Sequence, residues 1–169
     1  MTRYDPVQPL APEHDTTGFD CGSEAQTIWL RRHALLAQRS GTSRVYVVTI
    51  PGERTVVGYH ALAAGSVSVE EAPSRVGTGV GRHPVPVVVL TRLGVDVAEQ
   101  GRGLGRLLVR DALLRVAAAA DTIGLRALLV HVESDVARSF CLHLAEFEPS
   151  PTDPLHLFLL MKDLRSAIR

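Results

Sequence analysis

The sequence predicts a mixed α/β (α+β) domain built around one β-sheet. Helix-period and strand-like segments alternate as helix, hairpin, strand, helix, strand, helix, strand, the order of a single sheet with helices on it. The run Val85 to Val97 (VPVVVLTRLGVDV) is apolar nearly throughout, the pattern of a strand in a sheet centre. A glycine-rich turn follows that run, and a helix-period segment begins immediately after the turn. At 169 residues the chain is one domain by length, large enough to close a core without disulfide or metal staples.

Each element has its own signal. Residues 1–18 are rich in proline and polar groups and read as an N-terminal arm. Ser23-Glu-Ala-Gln26 fits an S-x-x-Q capping box, and the helix it starts is expected to run to about Gln38. Ala25, Ile28, Trp29, Arg32 and Leu36 share one face of that helix at 3.6-residue periodicity. Arg44 to Ile50 is short and β-branched, Pro51-Gly52 marks a turn, and Thr55 to Val69 reads as the second arm of a hairpin. Residues 70–84 form a loop of Gly, Pro, Ser and Arg. Pro86 falls near the start of the long run, where a missing N–H is tolerated. Leu104 to about Ala120 is helical, with Leu107, Leu108, Ala112, Leu114 and Val116 as apolar surface. Leu125 to Val132 is a second buried strand. Ser134 or Asp135 can cap a helix to about Ala145, His156 to Met161 is a last strand, and Lys162 to Ile168 a short helical tail.

Composition excludes several classes. Hydrophobic residues make up 46% and charged residues 21%, too apolar for long disorder. Net charge is zero, so a nucleic-acid site would have to be a local patch. The cations are 17 arginines and one lysine, Lys162. Coding composition explains that bias, and so would a need for bidentate phosphate contacts; only clustering separates the two. Two cysteines, Cys21 and Cys141, are too few for a disulfide framework, and no C-x-x-C spacing suggests a metal. The N-terminus lacks the apolar run of a signal peptide, and no window approaches the ~18 apolar residues of a membrane span. A cytoplasmic protein that binds no membrane and no metal is the expectation.

The turn Gln100-Gly-Arg-Gly-Leu-Gly-Arg106 carries the strongest local chemistry. Glycines let backbone N–H groups approach phosphate oxygens, and the following helix N-terminus adds partial positive charge. Arg102 and Arg106 flank those groups. A Walker loop would need Gly-Lys-Ser/Thr, and a dinucleotide fingerprint would need G-x-G-x-x-G; neither is present. An idle turn is the alternative, but each glycine inside the helix costs it roughly 1 kcal/mol.

Gln100-x-x-Gly103-x-Gly105 after a strand resembles the acetyl-CoA pyrophosphate loop of the GNAT superfamily of N-acetyltransferases. The wider chain resembles the branch of GNAT toxins from type II toxin–antitoxin systems that acetylate aminoacyl-tRNA. The likeness runs through Phe19-Asp-Cys-Gly22, Val57-Gly58-Tyr59, Ala61-Leu62, Pro84-Val-Pro86, Arg92-Leu93, Val95-Asp96, Asp111-Ala-Leu113, Pro149-Ser-Pro151 and Asp153-Pro154. It implies one GNAT domain over residues 1–169, with a mixed sheet whose central strands splay apart. It also implies acetyl-CoA held by Leu93, Gly94, Val95 and Gln100, Gly101, Arg102, Gly103, Leu104, Gly105 and Arg106. The Val95 N–H would be the oxyanion donor. A ribbon-helix-helix antitoxin and a homodimer are implied as partners.

Acetylation of aminoacyl-tRNA makes few demands on a base. A free α-amine titrates near ~7.8, and esterification lowers it further, so the nucleophile is substantially neutral. No paired carboxylates or His–Asp constellation stands out in the sequence. Glu133 and Asp135 could relay a proton through water or simply cap a helix. The tRNA candidates are Arg75, Arg82 and Arg92, with Arg44 and His83 behind them. Arg92 is the sole charge inside Val85 to Val95, so a phosphate or a structural carboxylate should compensate it. His60 and His131 lie in strand patterns and read as core residues.

Cys141 follows Ala137-Arg-Ser-Phe140, the position that holds a tyrosine in the related toxins and is placed there to protonate the departing thiolate. His143, two residues on, lies about 200° round the helix, so the two form no nucleophilic pair. At Cys141 the thiol is a short-reach acid, a natural variant that protonates through water, or an inactivating replacement. Two other functions stay open: a GNAT enzyme for a small amine or protein N-terminus, and an acetyl-CoA-binding protein whose business is its partner.

Overall fold

The computed structural model describes residues 3–169. Its seven strands form one mixed sheet in the order β1-β2-β3-β4-β5-β7-β6. The strands are β1 (Gln8–Pro9), β2 (Arg44–Thr49), β3 (Val56–Val67), β4 (Val85–Val95), β5 (Ala127–His131), β6 (Glu148–Pro149) and β7 (His156–Leu160). The helices are α1 (Glu24–Ile28), α2 (Ala34–Ser40), α3 (Ser74–Gly77), α4 (Leu104–Ala120), α5 (Asp135–Leu144) and α6 (Met161–Ala167). The long apolar run is the fourth strand of seven, as its two-sided hydrophobicity requires. It ends at Val95 rather than Val97, because Asp96 caps a 3₁₀ turn at Val97–Glu99 by accepting from the Ala98 N–H.

The chain divides into two compact units. The first takes the chain up to Ala63 together with Thr91–Ala112. There β1 pairs antiparallel with β2 through Gln8↔Val47 and Pro9↔Tyr46, so the polar arm contributes a strand that its composition hides. β2 pairs antiparallel with β3 from Arg44↔Leu62 to Thr49↔Val56. Phe19, Leu30, Ala34, Val45, Val47, Val56, Tyr59 and Ala61 form one buried cluster; Val48, Val57, Leu104 and Leu108 form another.

Ser23 caps α1 as expected, its side chain accepting from the Gln26 N–H. The helix then changes pitch. A π-helical turn at Trp29–His33 separates α1 from α2, with the Ala34 N–H reaching back to Trp29 O. The expected apolar face is corrected: Ala25, Arg32 and Leu36 are exposed, while Gln26, Thr27, Leu30 and Ala34 are buried. The offset is present from α1 onward: Gln26 and Thr27 turn inward because the Tyr59 hydroxyl donates to Gln26 O and the Cys21 N–H to Thr27 Oγ1, contacts that an apolar count does not register.

The second unit is Ala64–Leu90 with Leu113–Arg169. β4 pairs parallel with β5 from Val87↔Ala127 to Leu90↔Val130, and β5 pairs antiparallel with β7. Val76, Val85, Val87, Ala127, Leu129 and Phe158 fill its core. α4 has the expected bounds, Leu104–Ala120, but Leu107 and Leu114 are exposed rather than packed. α3 interrupts the expected 70–84 loop, and β6 lies between the expected helix end near Ala145 and the last strand. His131 is exposed at the end of β5, which corrects its reading as a core residue. Among the described residues no helix is long and apolar enough to cross a membrane.

Candidate acetyl-CoA and RNA sites

The glycine-rich segment is assembled in the first unit by β4, the 3₁₀ turn and α4. Gly101 and Gly103 sit at φ +77° and +87°, a conformation other residues rarely adopt. A Cβ on either would meet nothing within 4 Å, so their backbone faces open space. The first amides of α4 have no acceptor one turn back, since none exists there in a helix. Arg102 is exposed and paired with Glu99 at 3.4 Å, and Arg106 is exposed. Open glycines, a helix start and two arginines suit a pyrophosphate.

Packing fixes where that helix starts. A Cβ at Gly58 would lie 3.1 Å from Leu104 Cδ2 and 3.0 Å from Leu108 Cδ1, so a larger residue there would have to push both leucines of α4 back by a few tenths of an ångström. Behind it, buried His60 bonds Asp111 of α4 across 2.8 Å. Sequence reading found no His–Asp constellation because the partners stand 51 residues apart. The arrangement makes His60 a core residue, as expected, but one that ties strand to helix.

Gln100 behaves differently from its neighbours. Its Nε2 donates to Val95 O at 2.9 Å and to Cys21 O at 3.0 Å, so its side chain serves the protein backbone. Leu93 is half-buried in the Val57–Leu104 cluster, as is Val95. Gly94 is buried, and a Cβ there would lie 3.0 Å from Tyr59 Cε1 and 3.2 Å from Cys21 Sγ.

Arg92 is held within the protein by an amide and an aromatic ring. Its Nη1 donates to Gln26 Oε1 at 3.4 Å, and its guanidinium carbon lies 5.4 Å from the centroid of the Trp29 ring. Trp29 in turn stacks on Tyr59 at 6.1 Å. An amide oxygen and a ring hold the guanidinium in place without neutralising it. Arg44, at the start of β2, is exposed.

The other candidates lie in the second unit. Arg82 and His83 are exposed and line a pocket of about 510 Å³ with Ser68, Val69, Glu70, Gly81 and Pro84. Arg75 is engaged instead by Asp163 at 3.0 Å and by Glu148, and these carboxylates, Asp163 first, raise its pKa further. Arg126, not singled out by sequence, donates to Val76 O, Arg75 O and Thr78 O at 2.8, 3.1 and 3.0 Å and so holds the end of α3.

Cys141 is buried on α5, and burial pushes its thiol up to about 11. Ser134 caps α5 by accepting from the Ala137 N–H, leaving Asp135 as the acid of the first turn. His131 stacks on His156 with ring centroids 3.9 Å apart. Its pKa is lowered, by burial first and by the neighbouring imidazole second. Among the described residues no group of three or more His, Cys, Asp or Glu side chains is placed to hold a metal.

No family model matches the chain. A tRNA-acetylating toxin of Mycobacterium tuberculosis is 49% identical to it over 168 residues, covering 99% of this chain and 99% of the relative. The chain belongs to the tRNA-acetylating toxin family of GNAT acetyltransferases. A second family member, a probable TacT toxin of Sinorhizobium fredii, is 32% identical over 95% of this chain and 93% of its own length. The family fold is equally clear. The toxin AtaT complexed with acetyl-methionyl-tRNAfMet matches with a TM-score of 0.88 at 27% identity, over 97% of this chain and 99% of that one. A tyrosine-to-phenylalanine mutant of AtaT, bound to the C-terminus of the antitoxin AtaR and acetyl-CoA, matches with a TM-score of 0.79 at 27% identity, over 95% and 96%.

Proposed function

We propose that this protein is the toxin of a type II toxin–antitoxin system that moves acetyl from acetyl-CoA to the α-amino group of aminoacyl-tRNA, blocking translation. The observation that carries the reading is full-length 49% identity to a tRNA-acetylating toxin. The open turn at Gly101 and Gly103, just before α4, supports it. Residues 1–169 act in this reading as one acetyltransferase domain in the cytoplasm.

Acetyl-CoA supplies the thioester whose acetyl carbon the amine attacks. The Gly101 to Arg106 segment holds the pyrophosphate through backbone amides, with Arg102 and Arg106 adding charge. Leu93, Gly94 and Val95 present the strand edge, and the Val95 N–H stabilises charge developing on the thioester oxygen. The α-amine needs no strong base, since an ester neighbour keeps it largely neutral near pH 7. Arg82, His83, Arg92 and Arg44 contact RNA phosphates; Arg75, engaged by two carboxylates, contributes less. A ribbon-helix-helix antitoxin and a second copy of the chain are the proposed protein partners.

Cys141 takes the position of the family's general acid, and its chemistry favours a second reading. A thiol held at about 11 gives its proton to an ordinary thiolate (~8.5) only uphill, by roughly 3 kcal/mol. Water then protonates the leaving thiolate, or the protein works mainly as an acetyl-CoA-bound partner of its antitoxin. Incubation with labelled acetyl-CoA and charged or uncharged total tRNA separates the readings. Label on charged tRNA alone establishes the toxin chemistry. Label on neither, with acetyl-CoA bound, establishes the partner role.

A further inference from the structure

The Phe19-Asp-Cys-Gly22 turn is bonded to the segment that follows β4 at three points within the first unit. The Val97 N–H donates to Asp20 O at 2.8 Å. The Asp20 N–H donates to Asp96 Oδ2 at 3.2 Å, and Gln100 Nε2 donates to Cys21 O at 3.0 Å. Packing closes the same seam, since a Cβ at Gly94 would lie 3.3 Å from Cys21 Cβ. The turn is itself anchored in the core. Phe19 is 1% exposed and meets Tyr59 edge-on with centroids 5.6 Å apart. The Cys21 N–H donates to the buried Thr27 Oγ1 at 3.1 Å.

Two of the three bonds are made by side chains. Gln100 Nε2 carries two hydrogens, and both go to carbonyls, Cys21 O and Val95 O. Asp96 spans the seam with its two oxygens, Oδ1 accepting from Ala98 N–H at 2.9 Å and Oδ2 from Asp20 N–H. A carboxylate here stands a few residues from the phosphate-binding turn, where its charge opposes a bound polyanion. Its hydrogen bonds give it a different use.

We propose that the Phe19–Gly22 turn is a clamp that sets the path of Gly94 to Gly103 for acetyl-CoA, with Asp96 and Gln100 as its positioning residues. The proposal rests on the reading of Gly101 to Arg106 as the acetyl-CoA site. Phe19 fastens the turn to the core, Cys21 presses on Gly94, and the three bonds carry that position along to the glycines. The clamp acts through backbone geometry, so its loss weakens cofactor binding more than it slows transfer.

The test is calorimetric titration of the full chain with acetyl-CoA, together with steady-state kinetics on charged tRNA. Simple electrostatics says that Asp96→Ala tightens binding of an anion; the clamp says that it weakens binding about tenfold, the size of a lost hydrogen bond to a charged group. Gln100→Glu keeps the length of the side chain but removes the N–H donors, and it also weakens binding about tenfold. In both variants KM for acetyl-CoA rises about tenfold, by more than any fall in kcat. Equal or tighter binding by Asp96→Ala overturns the clamp. If that variant does not fold, judged by thermal melting, an unchanged Kd for Gln100→Glu overturns it instead. Wild-type protein that fails to bind acetyl-CoA overturns the cofactor reading and the clamp with it, whereas wild-type binding with unaffected variants overturns the clamp alone.

Discussion

Gly101-Arg-Gly103 and the stretch from Arg75 to Pro84 are both short and rich in arginine and glycine, and apart from Val76 neither is buried. In the first, the groups we propose for a ligand are backbone amides, and two positive-φ glycines face open space beside them. In the second, what is offered depends on side chains held by distant partners. Arg75 is taken by Asp163 and Glu148, whereas Arg82 and His83 face a pocket. Backbone function is written in consecutive residues. Side-chain function is decided by whatever the fold brings alongside, as it also is for Cys141, a cysteine whose burial alters its acidity.

The largest test of the side-chain half is Cys141→Tyr. Restoring a phenol at the family's acid position should raise kcat about 10²-fold, the contribution of a positioned acid. The added ring enters a buried site, so a lower Tm accompanies the gain. An unchanged kcat would show that water or another group protonates the thiolate. On the backbone half, Gly103→Val forces a β-branched residue to φ +87°. Strain of that kind, about 1–3 kcal/mol, should weaken acetyl-CoA binding roughly 10- to 100-fold by calorimetry. Undiminished binding would mean the turn does not cradle the cofactor.

Cys141 also gives a pH signature. Its folded pKa, about 11, lies above the ordinary thiol value, so the folded state holds this proton more tightly than the unfolded chain does. Its contribution to stability is therefore complete below ~8.5 and is lost as pH rises through that folded value, at up to ~1.4 kcal/mol per pH unit. Urea melts of wild type and Cys141→Ala between pH 8 and 11 measure it: the two should converge as pH rises. Parallel curves would place the thiol in a more solvated setting.

Much of the backbone half was legible in the sequence. The capping box at Ser23 and the bounds of α4 follow from local patterns, and so does the central place of β4. The misses have physical causes. The buried stripe falls on Gln26, Thr27, Leu30 and Ala34, because hydrogen bonds from Tyr59 and Cys21 draw the polar pair Gln26 and Thr27 inward. β1 is two residues that are strand only because β2 offers an edge. His60 with Asp111, and Arg92 with Gln26 and Trp29, are pairings across 51 or more residues that no local window contains.

The last two predictions divide the arginines of the second unit. Arg82→Ala should weaken RNA binding several-fold and reduce the salt slope of log K by about 1, because one phosphate contact is lost. A slope unchanged from wild type would remove Arg82 from the RNA surface. Arg75→Ala should leave that slope nearly unchanged, since its guanidinium is already engaged by Asp163 and Glu148. Its effect should appear in thermal melting, as a fall in Tm of a few degrees. Removal leaves the Glu148 and Asp163 carboxylates, on β6 and α6, without the cation that joins them to α3. Exposed pairs of this kind are individually weak, so the joint contact with two elements is what should make the change measurable. A salt slope reduced in both variants, with no change in Tm for Arg75→Ala, would instead put both guanidinia on phosphate and make the ion pairs incidental.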